Sequence, residues 1–216
     1  MSRGKFITLE GGEGAGKTTN MAFIKDYLEQ LKIQVVVTRE PGGTVLAEKI
    51  RQLLLDTKSE AISDQAELLM MFAARAQHIK HVIEPALSQG KWVLCDRFTD
   101  ATYAYQGGGR NIKVSSIQWL ENWVQGSLRP DLTLLLDAPV EIGIARAKNR
   151  GAFDRFESEK ISFFESVRRA YLLQADLYPE RIKIIKANLP LLEVQGAITH
   201  SLRILHGSSS SLRHGK

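Results

Sequence analysis

The chain has 216 residues, 44% of them hydrophobic and 25% charged, with a formal net charge of +5. A chain of this length buries roughly 70% of the surface that its unfolded form exposes, so it needs no staples, and its lone cysteine cannot form an internal disulfide. The longest unbroken apolar run, Leu68 to Ala74, falls far short of the ~20 residues that span a bilayer. The N-terminus lacks a signal-peptide core, and no Lys/Arg run exceeds Arg168-Arg169. These features point to a cytoplasmic protein with no membrane partner and without the dense basic stripe of a nucleic-acid binder.

The first β-rich run, Phe6-Ile7-Thr8-Leu9, ends in Glu10-Gly11-Gly12. Residues 11–18, Gly11-Gly12-Glu13-Gly14-Ala15-Gly16-Lys17-Thr18, match G-x-x-x-x-G-K-[ST] between a strand and a helix expected over 17–31. Glycines there let backbone N–H groups converge on a phosphate. The helix aims its positive dipole end at the same point. Lys17 supplies a mobile charge for the outer phosphates, and Thr18 a hydroxyl for Mg²⁺. Gly11 to Thr19 thus form the expected ATP-binding segment. Glu13 is out of place in a phosphate cradle and suits a sugar hydroxyl of a second substrate.

A second run, Val35-Val36-Val37-Thr38, ends in Arg39-Glu40-Pro41-Gly42-Gly43, followed by a helix over 44–55. A long helix over 63–87 carries Phe72 and Arg75 three residues apart, on a shared face. A ring and a guanidinium so placed suit a planar base; core packing and a solvated face are the alternatives. The third run, Trp92-Val93-Leu94-Cys95, reads as a strand with a buried thiol. It ends in Asp96, placed to complete a metal shell or to cap the strand, and Arg97. Arg39 and Arg97 together suit an anionic acceptor. Tyr105-Gln106-Gly107-Gly108-Gly109-Arg110 reads as a second glycine-rich loop.

Further helices are expected over 114–124, 140–147, 157–177 and 191–205, and further strands over 132–136 and 182–185. Arg146, Lys148, Arg150, Arg155 and Lys160 surround Gly151. This basic segment at about 146–160 reads as a lid over the transferring phosphate or as a solvated helix end. Residues 207–216 are expected to be a disordered tail. The alternation of apolar runs and helical stretches predicts an α/β fold: a five-stranded parallel sheet with helices on both faces, in one domain over 1–206. Ligands of such sheets bind beyond the carboxyl ends of the strands.

Several of these segments together resemble the thymidylate kinase family of P-loop nucleoside-monophosphate kinases. They are residues 10–19, Thr38-Arg39-Glu40-Pro41-Gly42-Gly43-Thr44, Phe72-Ala73-Ala74-Arg75, Asp96-Arg97-Phe98, Ala104-Tyr105-Gln106-Gly107, Arg129-Pro130-Asp131-Leu132-Thr133 and Asp154-Arg155-Phe156-Glu157. The resemblance implies ATP- and Mg²⁺-dependent phosphorylation of dTMP in dTTP biosynthesis, by a homodimer. It implies that Glu13 holds the sugar 3′-hydroxyl, that Arg39 and Arg97 hold the acceptor phosphate, and that Phe72 stacks on thymine. Arg75 would read a base carbonyl with Thr102 and Gln106 nearby, and Tyr105 would crowd the 2′ side of the sugar. It also implies a cis Glu40-Pro41 bond. Position 14, where some members carry a catalytic arginine, is glycine, so the lid-arginine type is expected, with Arg150 and then Arg155 as candidates beside Lys17 and Arg97. Phe98, Ala101 and Lys186 depart from the family pattern. The alternatives are another nucleoside-monophosphate or deoxynucleoside kinase of this fold, or a nucleotide-dependent switch. The absence of an Asn-Lys-x-Asp segment argues against the switch.

Overall fold

The five apolar runs form the strands of one parallel sheet in a computed structural model, which describes residues 3–57, 60–148, 155–156 and 159–211. The strands are β1 (Phe6–Glu10), β2 (Val35–Arg39), β3 (Trp92–Asp96), β4 (Leu132–Asp137) and β5 (Ile182–Lys186), in the order β2-β3-β1-β4-β5. Each extends one residue beyond its apolar run, to the polar residue at its carboxyl end. β1 lies at the centre, and Leu9 pairs with Asp96 on one side and Leu134 on the other. Its five residues are buried, including Glu10.

Alternation along the strands divides the core. Ile7, Leu9, Leu94, Leu134 and Leu136 face α1 (Lys17–Gln30) and α9 (Leu191–Ser211), which contribute Ile24, Leu28, Ile198 and Leu202. On the opposite face, Phe6, Val93 and Cys95 meet Ile79, Ile83 and Leu87. Leu135 and Ile182 meet α8 (Ile161–Leu177) through Phe164, Val167 and Tyr171. Both sides are therefore covered, as the continuous apolar runs require.

Three expectations change. The stretch expected as one helix over 63–87 is α3 (Asp64–His78), a π-helical turn at Ile79–Ile83, and α4 (Glu84–Ser88), which carries Pro85 in its first turn. Proline has no N–H to donate and crowds the carbonyl four residues back, so the ladder widens just ahead of it. The glycine-rich segment is not a loop: α5 (Thr99–Thr102) continues as π-helical turns over Tyr103–Gly109. Its glycines serve packing against α8, since a Cβ at Gly108 would lie 2.8 Å from the Ser166 carbonyl oxygen. Finally, α9 runs to Ser211, so residues 207–211 of the expected disordered tail are helical. Extending an existing helix adds a hydrogen bond per residue without a new nucleation cost. Residues 212–216 lie outside the described residues.

The remaining helices are α2 (Val45–Leu55), α6 (Val114–Gln125) and α7 (Val140–Lys148). Arg146 thus belongs to α7, and Lys160 precedes the first residue of α8. Arg150 and Gly151, the centre of the expected lid, lie outside the described residues.

Candidate active site: a phosphate loop that opens into a base-sized cavity

The turn after β1 has positive φ at Gly11, Gly14 and Gly16, and α1 begins at Lys17. At Gly14 the requirement is twofold. Its φ is +66°, and a Cβ would lie 1.9 Å from the Gly143 carbonyl oxygen of α7. No arginine fits at position 14 with this backbone. The Lys17 side chain folds back over the loop and donates to the carbonyls of Gly11 (3.1 Å) and Gly12 (2.9 Å). Burial, then the charge of Arg97, lowers its pKa.

A cavity of about 270 Å³ extends from this loop. Gly14 to Thr18 line it together with Arg75, Thr102, Gln106, Glu13, Asp96, Arg97 and Tyr105. The structure therefore brings together most of the residues singled out from the sequence. Thr18 and Asp96 share the wall. Asp96 Oδ1 is buried without a hydrogen-bond partner, as suits a cation bound chiefly through substrate phosphates. No cluster of three His, Cys, Asp or Glu side chains suited to a metal occurs among the described residues. Mg²⁺ does not need one, because it retains waters and phosphate oxygens. Gly11 and Gly12 border a smaller cavity under α7, and Thr19 is exposed beside Thr18.

Arg97 adopts a left-handed backbone conformation, φ +66°, uncommon for a non-glycine residue. Its guanidinium donates to Glu13 Oε1 (2.5 Å), the Gly11 carbonyl (2.8 Å) and the Tyr171 hydroxyl (3.1 Å), and covers the Tyr105 ring. Tyr105 also donates to Glu13 Oε1 (2.8 Å). Arg75 donates through Nε to Glu40 Oε2 (2.7 Å) and through one terminal nitrogen to Thr102 Oγ1 (3.0 Å). Its other terminal nitrogen, NH1, is buried and unpaired. Glu40 precedes the cis peptide bond to Pro41 that the resemblance implied.

Three expected residues are placed differently. Phe72 is buried with Leu68, Tyr103, Ile117 and Leu120, and the Arg75 guanidinium lies on its ring at 4.7 Å. It supports Arg75 from behind, while Met71 lines the cavity. Three residues is less than a full turn, and here the two sides of Arg75 face core and cavity. Arg39, at the end of edge strand β2, is half-exposed, pairs with Glu48 at 2.8 Å and does not line the cavity; Arg51 does. Arg155 reaches away from the phosphate loop, to the Leu54 carbonyl (2.8 Å) and Glu67. Each guanidinium pairs with a carboxylate of the protein, Arg39 with Glu48 at the surface and Arg155 with the buried Glu67.

A thymidylate kinase family model matches residues 9–198. The chain belongs to the thymidylate kinase family. A thymidylate kinase of Pseudomonas entomophila is 60% identical over 195 residues, spanning 90% of this chain and 93% of the relative. One of Teredinibacter turnerae is 54% identical over 199 residues, spanning 92% and 97%. A crystal structure of thymidylate kinase from Ehrlichia chaffeensis superposes with a TM-score of 0.75 at 33% identity, covering 93% of this chain and 99% of that one. The fold class and the enzyme class expected of this thymidylate kinase family member are therefore those observed. Among the described residues, no helix is long and apolar enough to cross a membrane.

Sequence reasoning missed Glu10. This carboxyl group is wholly buried, accepting from Phe98 N (2.6 Å) and the Tyr171 hydroxyl (2.7 Å). Burial and the nearby Asp100 carboxylate push its pKa up to about 8, against Arg97 and the two hydrogen bonds. Unfolded, it titrates near ~4.3. The folded state holds the proton more tightly, so this contribution is fully present below ~4.3 and is lost as pH rises through about 8. In urea denaturation between about pH 5 and pH 9, Glu10→Gln is expected to lose less stability with rising pH than the parent. Parallel stability profiles for the two proteins would contradict this.

Proposed function

We propose that the enzyme transfers the γ-phosphoryl group of ATP to dTMP, giving dTDP and ADP. The observation that carries this reading is that one cavity joins the phosphate loop to the buried, unpaired Arg75 NH1. A triphosphate at one end and a base carbonyl at the other bring the two phosphates together near Arg97. Loop N–H groups and the start of α1 hold the donor phosphates. Lys17 exchanges the Gly11 and Gly12 carbonyls for phosphate oxygens. Thr18 and Asp96 are the residues that would hold Mg²⁺, which supplies charge neutralisation on the outer phosphates. Arg97 is oriented in advance by Gly11 and Tyr171 and meets the acceptor phosphate. Glu13, released from Arg97, is then available to the sugar hydroxyl, and Tyr105 stands beside it. Arg75 donates to the base. The protein's work is positioning and electrostatic stabilisation. A cytoplasmic location follows from chemistry on free nucleotides.

A second copy of the chain is the proposed partner. α3 packs between α2 and α6, and these helices expose Leu46, Leu53, Leu69, Trp119 and Trp123. Exposed apolar side chains on neighbouring helices mark an association surface.

Coupled ADP release is expected with dTMP and not without it, and Lys17→Ala is expected to abolish turnover while leaving the folded circular-dichroism spectrum intact. If another nucleoside monophosphate outruns dTMP, the acceptor assignment fails; ADP release without any acceptor refutes the kinase reading. Arg150 is the proposed donor-side arginine, and Arg150→Ala should lower kcat by at least ~10-fold with little change in KM for dTMP. Arg155→Ala, which takes a guanidinium from Glu67 behind Gln106, should instead raise KM for dTMP; steady-state kinetics of the two variants test this division. In sedimentation velocity the parent is expected to run as a dimer and Trp119→Glu/Trp123→Glu as a monomer. A monomeric parent would refute the interface.

A further inference from the structure

Glu67 lies on α3 among Ala66, Leu68 and Leu69, and is fully buried. A buried carboxylate is costly unless its oxygens are paired. Oε1 accepts from Gln106 Nε2 at 2.8 Å, and Oε2 accepts from Arg155 and, at 3.4 Å, from Arg110. A carboxylate facing two guanidiniums only accepts hydrogen bonds. Gln106 must therefore turn its NH₂ group toward Glu67.

A side-chain amide has two ends: fixing the NH₂ group also fixes the carbonyl oxygen. Gln106 lines the cavity, and among the described residues its Oε1 takes part in no hydrogen bond. Arg75 lines the same cavity, and its terminal nitrogen NH1 is buried and without a hydrogen-bond partner. Thr102 lines the wall as well, with its hydroxyl accepting from Arg75 NH2. The cavity is thus lined by an acceptor of fixed polarity, the Gln106 oxygen, beside a guanidinium that holds one unused donor.

We propose that Glu67 is a specificity-determining positioning residue, which locks the polarity of the Gln106 amide so that the cavity accepts pyrimidines carrying a carbonyl beside a ring N–H. Thymine and uracil present this edge: the carbonyl accepts from Arg75 and the N–H donates to Gln106. Cytosine presents the reverse, an amino group toward Arg75 and a lone pair toward the Gln106 oxygen. Without Glu67 the amide is free to flip, and its NH₂ group then meets the cytosine lone pair, which removes the mismatch at Gln106 and leaves the one at Arg75. The proposal rests on the dTMP kinase reading and assigns to a residue outside the cavity wall the choice between oxo- and aminopyrimidines.

The test measures kcat/KM for dTMP, dUMP and dCMP with ATP. dUMP shares the hydrogen-bonding edge of dTMP and lacks only the methyl group, so it controls for general loosening of the cavity. In Glu67→Gln, the preference for dTMP over dCMP is expected to fall by at least ~10-fold, the scale of one mispaired buried polar group. The preference for dTMP over dUMP should hold within about twofold, well below that scale. The double variant Glu67→Gln/Gln106→Glu exchanges carboxylate and amide, preserves the cluster's charge and keeps an accept-only oxygen toward the cavity. It should retain the parent preference, even if the single variant fails to fold. The proposal is overturned if the dTMP:dCMP ratio of Glu67→Gln is unchanged, if both ratios move together, or if the double variant loses the preference. A parent that does not phosphorylate dTMP removes the kinase reading and this proposal with it. A parent that does, with an unmoved ratio in the variant, removes only the role of Glu67.

Discussion

The carboxyl group of Glu10 joins the backbone pieces from which the site is built. It ends the central strand, accepts the N–H of Phe98 just beyond β3, and holds the hydroxyl of Tyr171 from α8. Between those attachments lies Arg97, with a backbone conformation that a non-glycine residue rarely adopts unless its surroundings impose it. Tyr171 reaches Arg97 as well. One buried group thereby sets the relation of the phosphate loop, the end of β3 and the helix behind them. The arginine between the donor and acceptor ends of the cavity is placed by that arrangement.

The charges of the site follow a second pattern. Arg97 rests on Glu13, Lys17 on its own loop's carbonyls, Arg39 on Glu48 and Arg155 on Glu67. Desolvated cations need partners at all times, and Arg97, Lys17 and Arg155 each have one inside the protein, while the Arg39–Glu48 pair lies at the surface. A phosphate arriving at Arg97 or Lys17 replaces an interaction and does not fill a void. The net gain is smaller than a count of new ion pairs suggests, and selectivity depends on which replacement is geometrically best.

The fold was legible because strands buried on both faces leave nearly continuous apolar runs, as four of the five did; the fifth, at the sheet edge, is interrupted by Lys183. The phosphate loop was legible because its spacing is tied to a backbone shape. Phe72 packs in the core against Arg75; spacing on a helix says that two side chains share a face, without saying which flank meets the core. Met71, on the cavity flank of Arg75, carries no chemical flag in the sequence. The π-helical turns at Ile79–Ile83 and Tyr103–Gly109 arise from packing and from Pro85. In sequence, residues 103–109 resemble a loop because glycines in a row are typical of turns. Glu10 and Glu67 left a faint signal, an acid where the pattern calls for an apolar residue. Their partners lie far away in the chain, on α8, in the turns after β3 and in the segment ahead of α8, so no local spacing exposes them.

The contact between Gly14 and Gly143 has a consequence for exchanging parts between relatives. The absent Cβ at Gly14 would strike the Gly143 carbonyl, and one at Gly143 would lie 2.3 Å from the carbonyl of Glu13. The phosphate loop and α7 therefore touch backbone to backbone, and each glycine makes room for the other chain segment. A loop transplanted from a thymidylate kinase that carries its arginine at this position would collide with α7 before its side chain reached any phosphate. Loop and helix form a single module of inheritance, to be moved together in a chimera or not at all.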